Sequence, residues 1–143
     1  MKVQELVQQK NTIVHSVQET ATVSDAASLF LAKNISSVLV CKGDEVVGIF
    51  TKNDFLRRYL ESPSDFAKQP VHNPNARPLF STTPNADLGA VLSAMIERGL
   101  HHVPVLDGGK AVGMVTPIDI LLHMKEVLHF ENEQLIQYIR SSS

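Results

Sequence analysis

Gly48-Ile49-Phe50-Thr51-Lys52-Asn53-Asp54 returns 65 positions later as Gly113-Met114-Val115-Thr116-Pro117-Ile118-Asp119. Each copy ends an apolar, β-branched run and opens a stretch with helical spacing of apolar residues. A threonine followed three residues later by a carboxylate is the pattern of a capping box: the hydroxyl accepts a backbone N–H of the first turn, and the acid favours the positive helix end. The glycine ahead of it leaves room for close approach of backbone or ligand.

Outward from this stretch the chain reads as strands and helices in a fixed order. Val38–Cys41 and Val46–Phe50 have strand composition, and Lys42-Gly43-Asp44-Glu45 between them is hairpin turn chemistry. Upstream, Thr22-Val23-Ser24-Asp25 signals the start of a helix running to about Asn34, and Ile13, Val14 and Val17 predict a brief strand. Val3, Leu6 and Val7 predict a short amphipathic helix at the start. The second half repeats the order: a short strand at Leu79-Phe80, a helix from Asn85 to Gly99, strands at 102–106 and 111–115 around Asp107-Gly108-Gly109-Lys110, then a long helix from Thr116 towards Ile139.

Laid on residues 87–121 without a gap, residues 22–56 give nine identities. The fold class is therefore α/β (α+β), with two β-α-β-β-α repeats. One such unit is too small to close a core alone, so two packed about a pseudo-twofold axis are expected, with two clefts between them. The expected division is repeat 1 with the N-terminal segment over 1–62, a proline-rich connector over 63–77, repeat 2 over 78–125 and a C-terminal helix extension over 126–143.

Composition narrows the function classes. The chain has 143 residues, 43% hydrophobic and 20% charged, a net charge of -2 and no tryptophan. This balance disfavours a nucleic-acid reader, and no apolar run reaches the roughly 20 residues of a membrane span. The start of the chain lacks the apolar core of a signal peptide, so a cytoplasmic location is expected. The single Cys41 excludes an internal disulfide and has no base beside it for nucleophilic catalysis, so it reads as a packed thiol.

The pattern resembles a pair of CBS domains, a Bateman module, over residues from about 10 to 125. The marks are His102-Val103-Pro104-Val105 and the Gly-x-x-Thr-x-x-Asp signature in both repeats. Leu39 departs from it where the family often has proline, as do Asp87 and Ala90 at the start of the second repeat's first helix. The tail from Glu131 to Ile139 looks like that of small bacterial stand-alone CBS-pair proteins. The resemblance implies an adenosine-containing ligand such as AMP, ADP or ATP, less often S-adenosylmethionine or NAD, with no further cofactor required. It also implies a homodimer of stacked modules.

On that resemblance, Asp54 and Asp119 would accept hydrogen bonds from ribose hydroxyls, as an acidic residue does in dinucleotide folds. Thr51 and Thr116, at helix N-termini, would lie near phosphates. The capping and ligand roles do not exclude each other. The segments before the middle strands would cross to the opposite repeat. One site would then combine Thr116 and Asp119 with Ile35 and Ser37, and the other Thr51 and Asp54 with Leu100 and His102. Lys52 could reach a phosphate whereas its counterpart Pro117 could not. The Asp54 site is therefore expected to take the more highly charged phosphate chain, and the Asp119 site AMP or bare adenosine.

Each of these residues also has a plainer reading. Adjacent His101 and His102 point to opposite strand faces and suit no shared metal, so no metal site is expected. A phosphate-facing His102 would gain charge near pH 6.5, but the pair fits equally well as one exposed and one half-buried histidine. Arg57, Arg58 and Arg77 read as solvated, and Phe55, Tyr59 and Met124 as core or dimer surface. The apolar stripe of the last helix, including Leu128, Leu135, Ile136 and Ile139, predicts a partner surface. The functional expectation is a nucleotide-sensing regulatory module acting on an unidentified protein. The competing expectation is a ligand-independent structural dimerisation protein. No nucleophile–base pair supports an enzyme.

Overall fold

A computed structural model describes residues 1–10, 13–73, 76 and 78–142. The elements follow in the order α1 (Val3–Lys10), β1 (Ser16–Gln18), α2 (Val23–Lys33), β2 (Ser37–Lys42), β3 (Glu45–Thr51), α3 (Lys52–Glu61), α4 (Leu88–Arg98), β4 (Val103–Asp107), β5 (Lys110–Val115) and α5 (Pro117–Ser142). A 3-10 turn, Phe66–Lys68, interrupts the connector. No helix is long and apolar enough to cross a membrane among the described residues.

Local chemistry fixes the helix ends. Thr22 and Thr51 each form a full capping box, with Asp25 and Asp54 respectively. Asp87 takes the place of the hydroxyl in the second repeat, accepting the Ala90 N–H at 2.9 Å. Each such cap is worth about 1 kcal/mol. Helices α2 and α4 both end on a left-handed residue, Asn34 and Gly99.

The first repeat holds a three-stranded sheet, β1-β2-β3, with β1 parallel to β2 and β3 antiparallel to it. Among the described residues the second holds the β4-β5 hairpin alone. Both hairpins carry a register shift at the equivalent place, Val40/Cys41 and Val105/Leu106. The strand expected at Leu79-Phe80 is not formed; only Thr82 bridges to Val105. Pro78 and Pro84 bracket this segment and supply no N–H to a ladder. Phe80 instead packs beneath the Arg98 guanidinium, 4.6 Å from its ring centroid.

Three apolar clusters make the core. Val23, Ala26, Phe30, Val38, Val40 and Phe50 fill the first repeat. Leu88, Val91, Met95, Val103, Val105, Val115 and Ile120 fill the second. Between them Leu39, Cys41 and Val46 meet Leu79, Leu106, Ala111 and Met114, so each repeat covers the other's sheet. The Cys41 thiol is buried there.

Packing extends the sequence reading at three places. Residues 1–10 pack on the second repeat, not the first: Val3 and Leu6 enter its core, and the Val3 N–H reaches the Ala86 carbonyl at 3.0 Å. The connector is also not merely a tether. Val71 is buried in the first core, its N–H bonded to the Ala21 carbonyl at 2.8 Å. Arg58, expected in solvent, donates to the Gln69 side chain and to the Pro70 and Val71 carbonyls. Arg77 lies outside the described residues.

Candidate functional site

The end of α2 and the start of β2 bring Asn34, Ile35, Ser36 and Ser37 towards the other repeat. The Ser36 hydroxyl meets His102 Nε2 at 2.9 Å, across 66 residues of sequence. Around this bridge is a cleft of about 290 Å³, near the lower end of the roughly 300–1,000 Å³ of small-molecule sites. Its walls include Ile35, Ser37 and Lys52 from the first repeat, His102 and Thr116 from the second, and Lys10 from α1. The cleft is thus built by both repeats and the N-terminal helix together.

Thr116 and Asp119 open α5 with reciprocal bonds. The Thr116 N–H donates to Asp119 Oδ2 at 3.0 Å, and the Asp119 N–H to Thr116 Oγ1 at 3.2 Å. Asp119 Oδ2 also receives the Lys10 ammonium, which in addition donates to the Met114 carbonyl at 3.2 Å. Burial alone would raise the Asp119 carboxyl, but the hydrogen bonds from Lys10 and then Thr116 outweigh it and hold the group below its ordinary value. His102 is held below its ordinary value by burial first and then by His101 and Lys10, while Asp119 pulls the other way. Its imidazole is neutral at pH 7, so the expectation of charging near pH 6.5 moves to lower pH.

Asp54 is placed differently. It closes the capping box on Thr51, with the Thr51 N–H donating to Oδ2 at 2.8 Å, and its other oxygen pairs with exposed Arg57 at 3.1 Å. Leu100 lies in a second, mostly apolar depression of about 580 Å³ with Met95, Ile96, Pro117 and Ile118, and His102 and Thr116 line both cavities. Thr51 and Asp54 line neither cavity. Of the nine candidate residues, the structure gathers Ile35, Ser37, Lys52, His102 and Thr116 in one cleft, with Asp119 joined to it through Thr116 and Lys10. Lys52, expected beside Asp54, stands in the cleft with Thr116, and His102 lines both that cleft and the depression holding Leu100. Lys10 was not expected at all; nothing in its local sequence signals a partner 109 residues away. Among the described residues no group of three or more His, Cys, Asp or Glu side chains could hold a metal ion.

Comparison with known proteins gives the same architecture a context. The family model described as CBS domain matches residues 5–61 and 75–126. The uncharacterized protein MJ1225 of Methanocaldococcus jannaschii is 24% identical over 116 residues, 80% of this chain. The chain spans 40% of that protein's length. Among solved structures, the CBS-domain containing protein ATU1752 from Agrobacterium tumefaciens superposes with a TM-score of 0.78 at 22% identity, covering 87% of this chain and 99% of its own. CBSX2 in complex with AMP superposes at 0.70 with 18% identity, covering 88% of this chain and 97% of its own. The CBS domain pair of MJ0100, in complex with 5′-methylthioadenosine and S-adenosyl-L-methionine, gives 0.72 at 20% identity with the same two coverages. At these identities the structural likeness establishes the fold.

Proposed function

This chain belongs to the CBS-domain family, and on that premise we propose that it is a regulatory module binding an adenosine nucleotide in the cleft between its two repeats. The observation that carries the reading is the crossing at Ser36 and His102. It sets the apolar Ile35 and the hydroxyl of Ser37 from one repeat opposite Thr116 and the α5 N-terminus of the other. Apolar wall and backbone suit a base, Asp119 suits ribose, and the Thr116 end of α5 with Lys52 suits phosphate. CBS pairs of the same fold hold AMP or S-adenosyl-L-methionine, which supports the ligand class.

The charge placement reverses the preference expected from sequence. Lys10 and Lys52 both face the Asp119 cleft, with the neutral His102 as a hydrogen-bonding group, which favours phosphate there over the Thr51–Asp54 end. Function follows as regulation without catalysis: a ligand gripped by both repeats favours the arrangement it binds best, and only by its difference in affinity for the two states. The regulated partner would read that shift.

A homodimer fits the same premise. Leu31 and Ile96 are exposed at equivalent positions of the two repeats, as are Leu56 and Leu121. An apolar surface that itself repeats about a pseudo-twofold axis is self-complementary, which suits a second copy. The dimerisation-only alternative retains this surface and dispenses with the cleft.

A thermal-shift panel of AMP, ADP, ATP, S-adenosylmethionine and NADH separates them. A true ligand at about 100 times its Kd adds roughly 2.7 kcal/mol. If no member of the panel raises the melting temperature, the sensing reading fails and the dimerisation reading stands.

A further inference from the structure

We propose that Lys10 makes the Asp119 cleft selective for phosphorylated adenosines over neutral or cationic ones. This rests on the cleft being the nucleotide site. The Lys10 ammonium lies on Asp119 Oδ2, and the two side chains are only 25% and 23% exposed. Among the described residues its only other bond is to the Met114 carbonyl. The carboxylate suited to ribose is therefore already matched by a cation belonging to the chain.

That cation is not free to leave. Helix α1 is fixed by Val3 and Leu6 in the second core. Beyond them, Gln9 bonds the buried His123 at 2.6 Å and Glu126 at 2.8 Å on α5. The equivalent Asp54 is matched instead by Arg57, one turn along its own helix and 67% exposed, which can swing into water at little cost.

Partner exchange follows from this difference. A ribose diol that engages Asp119 draws off the anion of Lys10 and leaves a largely buried ammonium with one carbonyl, an unfavourable state. A phosphate on the same ligand supplies the replacement anion and restores the balance, with Lys52 on the same wall. Adenosine and 5′-methylthioadenosine bring no anion near the ribose. S-adenosylmethionine sets its sulfonium next to the ribose, adding positive charge to a wall already carrying two lysines, and its carboxylate lies further out beside its own ammonium. The cleft's charge pattern thus selects the ligand by what its 5′ substituent carries.

Calorimetric titration of adenosine, AMP and S-adenosylmethionine into the unmodified protein, Lys10→Gln and Lys10→Arg tests this. The unmodified protein is expected to bind AMP at least tenfold more tightly than adenosine. Lys10→Gln is expected to shrink that ratio about tenfold through weaker AMP binding, while Lys10→Arg retains it. An unchanged ratio in Lys10→Gln overturns the proposal, as does equal tightening of all three ligands, which would make Lys10 a plug. If none of the three binds the unmodified protein, the cleft reading itself falls and takes this proposal with it. Circular dichroism on both variants separates lost selectivity from lost folding.

Discussion

Gly48 and Gly113 hold equivalent places in the two repeats, yet a side chain would meet different surroundings at each. A Cβ on Gly48 would find only Val40 Cβ, at an ordinary 3.8 Å. On Gly113 it would lie 3.0 Å from both γ-methyls of Val7 on α1. Overpacking of this kind costs about 1–3 kcal/mol. Gly113→Ala is therefore expected to lower the denaturation midpoint clearly and Gly48→Ala hardly at all; equal effects in urea titrations would contradict this. His102 gives a pH dependence. Its folded-state value lies below the ordinary 6.5, with His101, Lys10 and Asp119 as the charged groups around it. The unfolded chain then binds more protons between the two values, so the contribution is intact above about 6.5 and is lost as pH falls below it. Asp119, also depressed, adds a second loss only below its ordinary 3.8. Urea melts between pH 7.5 and 5 should show a smaller drop in His102→Gln than in the unmodified protein; an identical drop would remove His102 from the account.

At the scale of elements, α1 is the piece that joins core to cleft. Leu6 is buried among Leu88, Val91 and Met95, so Leu6→Ala is expected to cost about 2–5 kcal/mol. Hydrogen exchange should show protection lost in α4 and retained in α2; equal loss in both would mean that α1 supports the whole molecule and not one repeat. The sequence reveals that α1 exists, because Val3, Leu6 and Val7 share one helical face, but apolar periodicity does not say which surface that face covers. The capping helices and hairpins were legible for the opposite reason: Thr51 with Asp54, and the Gly43 and Gly108 turns, act on their own neighbours. The Lys10–Asp119 and Ser36–His102 contacts join residues far apart in the chain, and no local pattern encodes them. Nine identities at a constant offset disclosed the repeat. They also suggested more symmetry than exists, since α1 and the reduced strand at Thr82 belong to the second repeat alone.

At the scale of the whole molecule, the two repeats share one interface cluster and one bridged cleft, while their outer helices carry matching exposed apolar residues. On the proposed homodimer, Leu31→Glu and Ile96→Glu, both at largely exposed positions, are expected to leave the fold intact and to lower the sedimentation mass from two copies to one. A mass unchanged by both would place the contact elsewhere. The central claim, that the inter-repeat cleft holds an adenosine nucleotide through Asp119, is tested most directly by calorimetric titration of AMP into the unmodified protein and into Asp119→Asn. Asparagine keeps the cap's oxygen while removing the charge and one ribose acceptor. Stoichiometric binding that weakens at least tenfold in Asp119→Asn is the predicted result; AMP binding of equal strength in both proteins would contradict it.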